Sequence, residues 1–318
     1  MLSFARNIRA WAALPLVASF CLSAQKVTHT HSAPMTERFG KPYVMVTING
    51  KGPYRFVIDT GTGTDAFVSP ELADELKLTT AAEVVVTDPS KQGGERVPIV
   101  LLESLELAGV KFDWVKAVRH VVTGEAGSCQ GMLGFALFHD LLLTLDFPHR
   151  RVVLGGGALT PDGEKTILPF RLVDGVPVTR LRVNGESVEA QLDSGGGGLT
   201  LPLDLAARQK WEIEPVVFAT GQTMTTRFDI RAAKLATDVT VGKYTFTRPV
   251  VEIHPAFPLV NFGSPPMQKF AITFDQKSLL VRLNADRDHL QLLAPPSPTR
   301  LTNEPKPELP PPHLVPLG

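Results

Sequence analysis

The chain is poor in the residues that announce many chemistries. Two of its 318 residues are cysteine, Cys21 and Cys129. Cys21 falls in a stretch with the marks of a removed leader: Arg6 and Arg9, an apolar run from Ala10 to Cys21, then Leu22-Ser23-Ala24. With residues 1–24 removed, Cys129 is alone and no intrachain disulfide can form, although export would permit one. Cys129 then reads as a small packing or loop residue. A lipid anchor on Cys21 is disfavoured by the bulky Phe20 before it. The apolar run is also shorter than the roughly 20 residues a membrane-spanning helix needs. Neither sign of charge prevails, with 32 Lys and Arg against 32 Asp and Glu, so nothing steers the protein toward nucleic acid or an anionic surface. There is no H-E-x-x-H, no paired C-x-x-C, no Walker loop and no G-x-S-x-G. Zinc, nucleotide and serine-hydrolase chemistry have no support, and no metal or cofactor is expected. His29 and His31 read as part of a polar N-terminal segment, and His254 as a packing residue.

What is plentiful is glycine (26) and proline (27), between short apolar runs. That composition favours many strands and turns. Residues 25–40 read as a flexible segment, and 286–318, dense in proline, as a solvated tail.

Between these ends lies an internal repeat. "VMVTINGKGPYRFVIDTG" is followed much later by "PVTRLRVNGESVEAQLDSG". Each has a strand-like run, an Asn-Gly pair that predicts a hairpin, a second run, then Asp, a hydroxyl residue and Gly. A short helix is expected after each, from Ser69-Pro70 and from Pro202. The far ends match too. "MLGFALFHDLLLTLDFPHRRVVL" parallels "VNFGSPPMQKFAITFDQKSLLVRL", and Gly134 to Asp146 spans the same 12 residues as Gly263 to Asp275. The expected units are 41–156 and 165–285, joined by 157–164.

Asp59 and Asp193 each end an apolar run, where a carboxylate must be paired, hydrogen-bonded or protonated. Thr60 and Ser194 supply a hydroxyl beside them. Gly61 and Gly195 permit a tight turn and close backbone approach. Duplicated halves packed about a pseudo-twofold axis would let the two carboxyls meet and hold one proton between them. Such a pair can act as base toward water and as acid toward a carbonyl oxygen.

"FVIDTGTG" and "AQLDSGGG" resemble the two active-site loops of aspartic peptidases. "MLG" at 132–134 and "NFG" at 261–263 resemble that fold's apolar-apolar-Gly element, the second with a polar Asn in first place. The closing hairpins resemble those of retropepsin-like bacterial proteins. The resemblance covers about residues 43–283. It implies a mainly β chain of two homologous six-stranded-type β-barrel lobes, pepsin-like or retropepsin-like, with the active site in an interlobe cleft. It also implies Asp59 and Asp193 as the catalytic pair, Thr60 and Ser194 as a brace beneath them, and Gly134 and Gly263 packed behind the loops. The implied partner is a peptide or protein substrate, and the implied state a monomer, exported to periplasm or medium. The flap candidates are Gln92, Gly93 and Gly94 in the first half and Thr223 and Met224 in the second. Neither stretch holds the tyrosine of pepsin-type flaps, and Gly196-Gly197-Gly198 reads as flexible for a preorganised site.

The same residues admit other readings, among them one loop per chain with Asp59 meeting its mate in a homodimer, which the intact second loop makes unnecessary. Gly61 to Ala66 fits G-x-G-x-x-A, but Asp59 beside the turn would repel a pyrophosphate. A pepsin-fold module that binds a peptide or envelope ligand without turnover is the alternative function, since fold does not guarantee chemistry.

Overall fold

The computed structural model describes residues 29–38, 40–86, 94–121, 129–222 and 227–293. The expected leader 1–24, the residues from 294 and the flap candidates Gln92, Gly93, Thr223 and Met224 lie outside the described residues.

The two halves repeat one folding pattern. Lys41–Ile48 turns at Asn49-Gly50 into Lys51–Asp59, and Val176–Val183 turns at Asn184-Gly185 into Glu186–Leu192. All four turn residues have positive φ, between 51° and 78°. Such angles match the turn to the strand twist, which is why Asn-Gly serves here. Val44, Val46 and Ile48 point inward from the first strand, and Leu181 and Val183 from its counterpart.

The strand ending in Asp59 then lies parallel to Gly131–Gly134, with Asp59 opposite Gly134. Ala66–Val68 pairs antiparallel on the other side of the same short strand. In the second half Glu186–Leu192 runs parallel to Val260–Phe262, and Leu199–Leu201 pairs antiparallel beyond it. Each Asp loop therefore arches over a short strand that closes at a glycine, Gly134 as the last residue of the first and Gly263 just after the second. Gly61 to Ala66 leads into a strand, so the dinucleotide fingerprint lacks its immediate helix. The helix follows at Pro70–Glu75, where Ser69 accepts the Leu72 N–H at its start. Its counterpart is a single turn, Leu203–Ala206.

Long hairpins rise from each half: Thr80–Val86 with Glu95–Leu107, and Trp211–Gln222 with Arg227–Leu235. The strands form an eight-stranded sheet of first-half strands, an eleven-stranded sheet of second-half strands, and a six-stranded sheet drawing on both. In that third sheet Leu142–Asp146 pairs with Ala271–Asp275, setting Thr144 opposite Thr273. These threonines occupy equivalent places in the repeat, ten residues after Gly134 and Gly263, and their hydroxyls meet at 2.9 Å. The pairing is twofold in pattern. Phe135 packs edge-on against Phe274 at 5.2 Å and against Phe170 at 6.0 Å, so the apolar core is continuous between the halves.

Two sequence expectations need correction. The segment 25–40 is not loose throughout. His31–Pro34 pairs along the edge of the six-stranded sheet, against Arg151–Gly155. Met35 is buried, and Thr36–Arg38 joins Lys41–Tyr43. The exposed edge of Arg151–Gly155 offers N–H and C=O groups that this short run satisfies. Nor does order stop at 285. His289–Leu290 pairs with Thr245–Phe246, Leu290 and Leu292 are buried, and the Val250 N–H donates to the Leu292 carbonyl at 3.0 Å. Among the described residues no helix is long and apolar enough to cross a membrane.

Candidate active site

Asp59 and Asp193 come together where the two loops meet. Each is braced by its own loop in the same way. The Gly61 N–H donates to Asp59 Oδ1 at 2.9 Å, and the Gly195 N–H to Asp193 Oδ1 at 3.0 Å. The Thr62 and Gly196 N–H groups donate back to the Asp59 and Asp193 carbonyls, at 3.3 and 3.0 Å. Each turn closes without a long side chain because glycine stands two residues after the Asp.

The loops are tied to each other through the hydroxyl residues. Thr60 Oγ1 donates to the Leu192 carbonyl at 2.8 Å and accepts from the Ser194 N–H at 3.0 Å. Ser194 Oγ donates to the Ile58 carbonyl at 2.8 Å and accepts from the Thr60 N–H at 3.0 Å. Thr60 and Ser194 are fully buried. The four bonds form a closed, reciprocal set linking residues more than 130 positions apart. They fix the separation of the two carboxyls as a property of the backbone.

The glycines at 134 and 263 seat these loops. The Gly134 N–H donates to the Asp65 carbonyl and the Phe135 N–H to Thr62; the Gly263 N–H donates to Gly198 and the Ser264 N–H to Gly196. A side chain at 263 would start 2.5 Å from the Gly198 carbonyl oxygen.

The carboxyl pair is electrically strained. Asp193 is nearly buried, Asp59 is half-buried, and each carboxyl lies against the glycine of the other loop, where a side chain on Gly61 would meet Asp193 and one on Gly195 would meet Asp59. Burial first, then the charge of Asp193, push the Asp59 carboxyl up to about 8, against the pull of Lys41 and the Gly61 N–H.

Four further residues shape the site, and sequence reasoning did not assign them. Asn261 is fully buried, and its Nδ2 donates to Asp193 Oδ2 at 2.9 Å. Gln191 Nε2 donates to Asn261 Oδ1 at 3.2 Å. The only hint of this pair was the polar residue heading "NFG". Glu252 packs its carboxyl beneath the Gly197-Gly198 stretch, and burial pushes it up to about 7. A charge inside the apolar run "PVVEIH" was its signal. Lys41, at the first strand's start, left none.

The run of glycines after Ser194 has a packing reason. A side chain on Gly196 would start 2.5 Å from Asn261 Nδ2 and 2.7 Å from Asp193 Oδ2; one on Gly198 would start 2.6 Å from the Glu252 carboxyl carbon. The space those side chains would need is filled by polar groups. Of the flap candidates, Gly94 is exposed and immediately precedes Glu95–Leu107. His254 is buried and stacks on Phe228 at 5.1 Å, near the open end of the second long hairpin. Burial brings its imidazole down to about 4. Among the described residues no group of three or more His, Cys, Asp or Glu side chains is arranged to hold a metal ion.

Residues 44–137 match the family model of aspartyl proteases. That match bears out the resemblance to the pepsin-like and retropepsin-like type. The aspartyl-protease match takes in Asp59, Thr60, Gly61 and Gly134; Asp193 and its loop repeat the same parts beyond it. No curated protein matches the sequence.

Proposed function

We propose that the protein is an aspartic endopeptidase in which Asp59 and Asp193 activate one water between them. The family match supports a protease in general. The observation that carries the finer reading is the meeting of the two carboxyls above the reciprocal Thr60–Ser194 brace, each lying against the glycine of the opposite loop. Two carboxyls in contact hold one proton between them. The ionised member takes a proton from water as that water attacks the scissile carbonyl. The protonated member gives its proton to the carbonyl oxygen. As the tetrahedral adduct breaks its C–N bond, the first carboxyl passes its new proton to the leaving nitrogen and the second takes back a proton from the adduct's hydroxyl, so the pair ends as it began. The brace keeps both groups in place without reorganisation during the step. The substrate is an extended peptide lying between the two halves, beneath the long hairpins. One chain supplies both carboxyls, so the reaction needs no second copy. The basic and apolar N-terminal stretch supports export, which N-terminal sequencing of the mature protein tests.

A mixed peptide library incubated with the purified protein across pH 3–8, with product bonds read by mass spectrometry, tests the function. Asp59→Asn and Asp193→Asn are each expected to lose at least about 10²–10⁴-fold in rate while remaining folded. A folded wild-type protein inert at every pH would overturn the proposal in favour of a binding module.

A further inference from the structure

The brace beneath the dyad is symmetric, but the surroundings of the two carboxyls are not. Val57 pairs with Met132 in the first half; at the equivalent places in the second half, Gln191 pairs with Asn261. Three residues after each Asp stand Thr62 and Gly196 respectively. In the first half the Thr62 hydroxyl turns to the Met132 sulfur at 3.4 Å, so neither side chain serves the Asp59 carboxyl as Asn261 serves that of Asp193. In the second half Gly196 has no side chain, and Asn261 reaches past it to Asp193 Oδ2. Three positions thus differ together, and each difference serves one contact. Gln191 is polar so that it can hold the Asn261 carbonyl oxygen; Asn261 is polar so that it can donate; Gly196 is bare so that the amide can pass.

The consequence is an unequal pair. Asp193 accepts a hydrogen bond on each oxygen, from the Gly195 N–H and from Asn261, while Asp59 accepts one from its own loop. Donors to a carboxylate favour its ionised form. We infer that Asn261, oriented by Gln191, is a positioning residue that keeps Asp193 ionised and leaves the shared proton on Asp59, so that Asp193 acts as the base toward water and Asp59 as the acid toward the carbonyl oxygen. This deepens the endopeptidase reading and rests on it for the catalytic roles alone; the proton's location is independent of turnover. The high position of the Asp59 carboxyl agrees with it. The other ionisable groups packed on the site are Lys41, which draws Asp59 toward ionisation, and the Glu252 carboxyl beneath the Gly197-Gly198 stretch. Neither supplies a donor to Asp193.

The test replaces the polar pair by that of the first half, Gln191→Val with Asn261→Met, and separately makes Gly196→Ala, whose added carbon displaces the Asn261 amide. Both variants and wild type are followed by carboxyl ¹³C shifts from pH 3 to 9, with Asp59→Asn and Asp193→Asn giving the assignments. The pH profile of kcat/KM is measured alongside. In wild type the Asp193 carboxyl should stay ionised to well below the pH at which Asp59 titrates. In both variants the Asp193 transition should rise by about 1–2 pH units, and the acid limb of kcat/KM should move up with it. Equal titration of the two carboxyls in wild type, or an Asp193 transition unmoved in whichever variant folds, overturns the inference even if peptides are cut. If no peptide is cut yet the shift moves as expected, the inference about the proton holds and the endopeptidase reading falls.

Discussion

Replacing Thr60 by Val tests whether the carboxyl pair is held by the backbone ties beneath it. Valine keeps the shape of threonine, so no cavity opens. What is lost is one donor to the Leu192 carbonyl and one acceptor for the Ser194 N–H, both in a fully buried place. A net hydrogen bond contributes about 1 kcal/mol, and a buried group left without a partner costs about 1–3 kcal/mol. Two bonds with partial relaxation give a loss of about 2–4 kcal/mol. Ser194→Ala removes the mirror pair, the Ile58 carbonyl's donor and the Thr60 N–H's acceptor, at the same two lengths. Its loss should therefore fall within about 1 kcal/mol of the first. Urea unfolding followed by far-UV circular dichroism gives both numbers, with an unchanged m-value showing that the denatured state is not the cause. If proteolysis is measurable, kcat should fall more than KM rises, because it is the carboxyl geometry that loosens. A loss below about 1 kcal/mol in either variant would refute the reasoning, since water or a backbone shift would then be replacing the ties.

Asp59→Asn should change the pH dependence of stability as well as any activity. The Asp59 carboxyl stands at about 8 in the folded protein against an ordinary 3.8, so unfolding releases its proton between those values. Wild-type stability should fall as pH rises from about 4 to 8, and the Asn variant should escape that fall, gaining on wild type in urea midpoint at pH 8 relative to pH 4; parallel midpoints would count against it. Glu252, held at about 7 against 4.5, has the same sign, so Glu252→Gln should flatten the decline between about pH 4.5 and 7. His254 is opposite: held near 4 against 6.5, it costs stability as pH falls from 6.5 to 4, and His254→Phe should gain on wild type toward pH 4. Gly263→Ala should cost at least about 2 kcal/mol in the same urea assay, because its new carbon meets backbone oxygen, which cannot swing away.

Local signals were legible in the sequence because local physics makes them. The Asn-Gly pairs required positive φ and fixed both hairpins. Ser69 before Pro70 marked a cap and a first turn, and the Asp-hydroxyl-Gly tripeptides marked two loops that the structure joins. The equal 12-residue spacings placed two closing hairpins but not their pairing with each other. Leu142–Asp146 carries no local mark that its neighbour will be Ala271–Asp275. The strands at His31 and His289 carry no such signal for a related reason: both are short edge additions whose stability comes from the sheet they join and from a few buried anchors, Met35 in one and Leu290 with Leu292 in the other. The glycines after Ser194 looked loose because a sequence shows missing side chains but not the carboxyl and amide groups that occupy their place. Asn261 was visible as a departure from the apolar pattern, and its meaning needed Gln191 and Gly196 brought beside it.

That last cluster bears on why both loops belong to one chain. Two identical loops meeting about a true twofold axis would give carboxyls of equal basicity, and the proton would have no preferred side. Here the elements that set distance, Thr60 with Ser194 and Thr144 with Thr273, keep the twofold pattern, because equal geometry on both sides closes the ties. The elements that would set basicity break it, with Val57, Met132 and Thr62 on one side and Gln191, Asn261 and Gly196 on the other. Distance and proton affinity are thus controlled by different residues. Variants of the first set should loosen the pair without reordering its titration. Variants of the second should reorder the titration with little change in the ties.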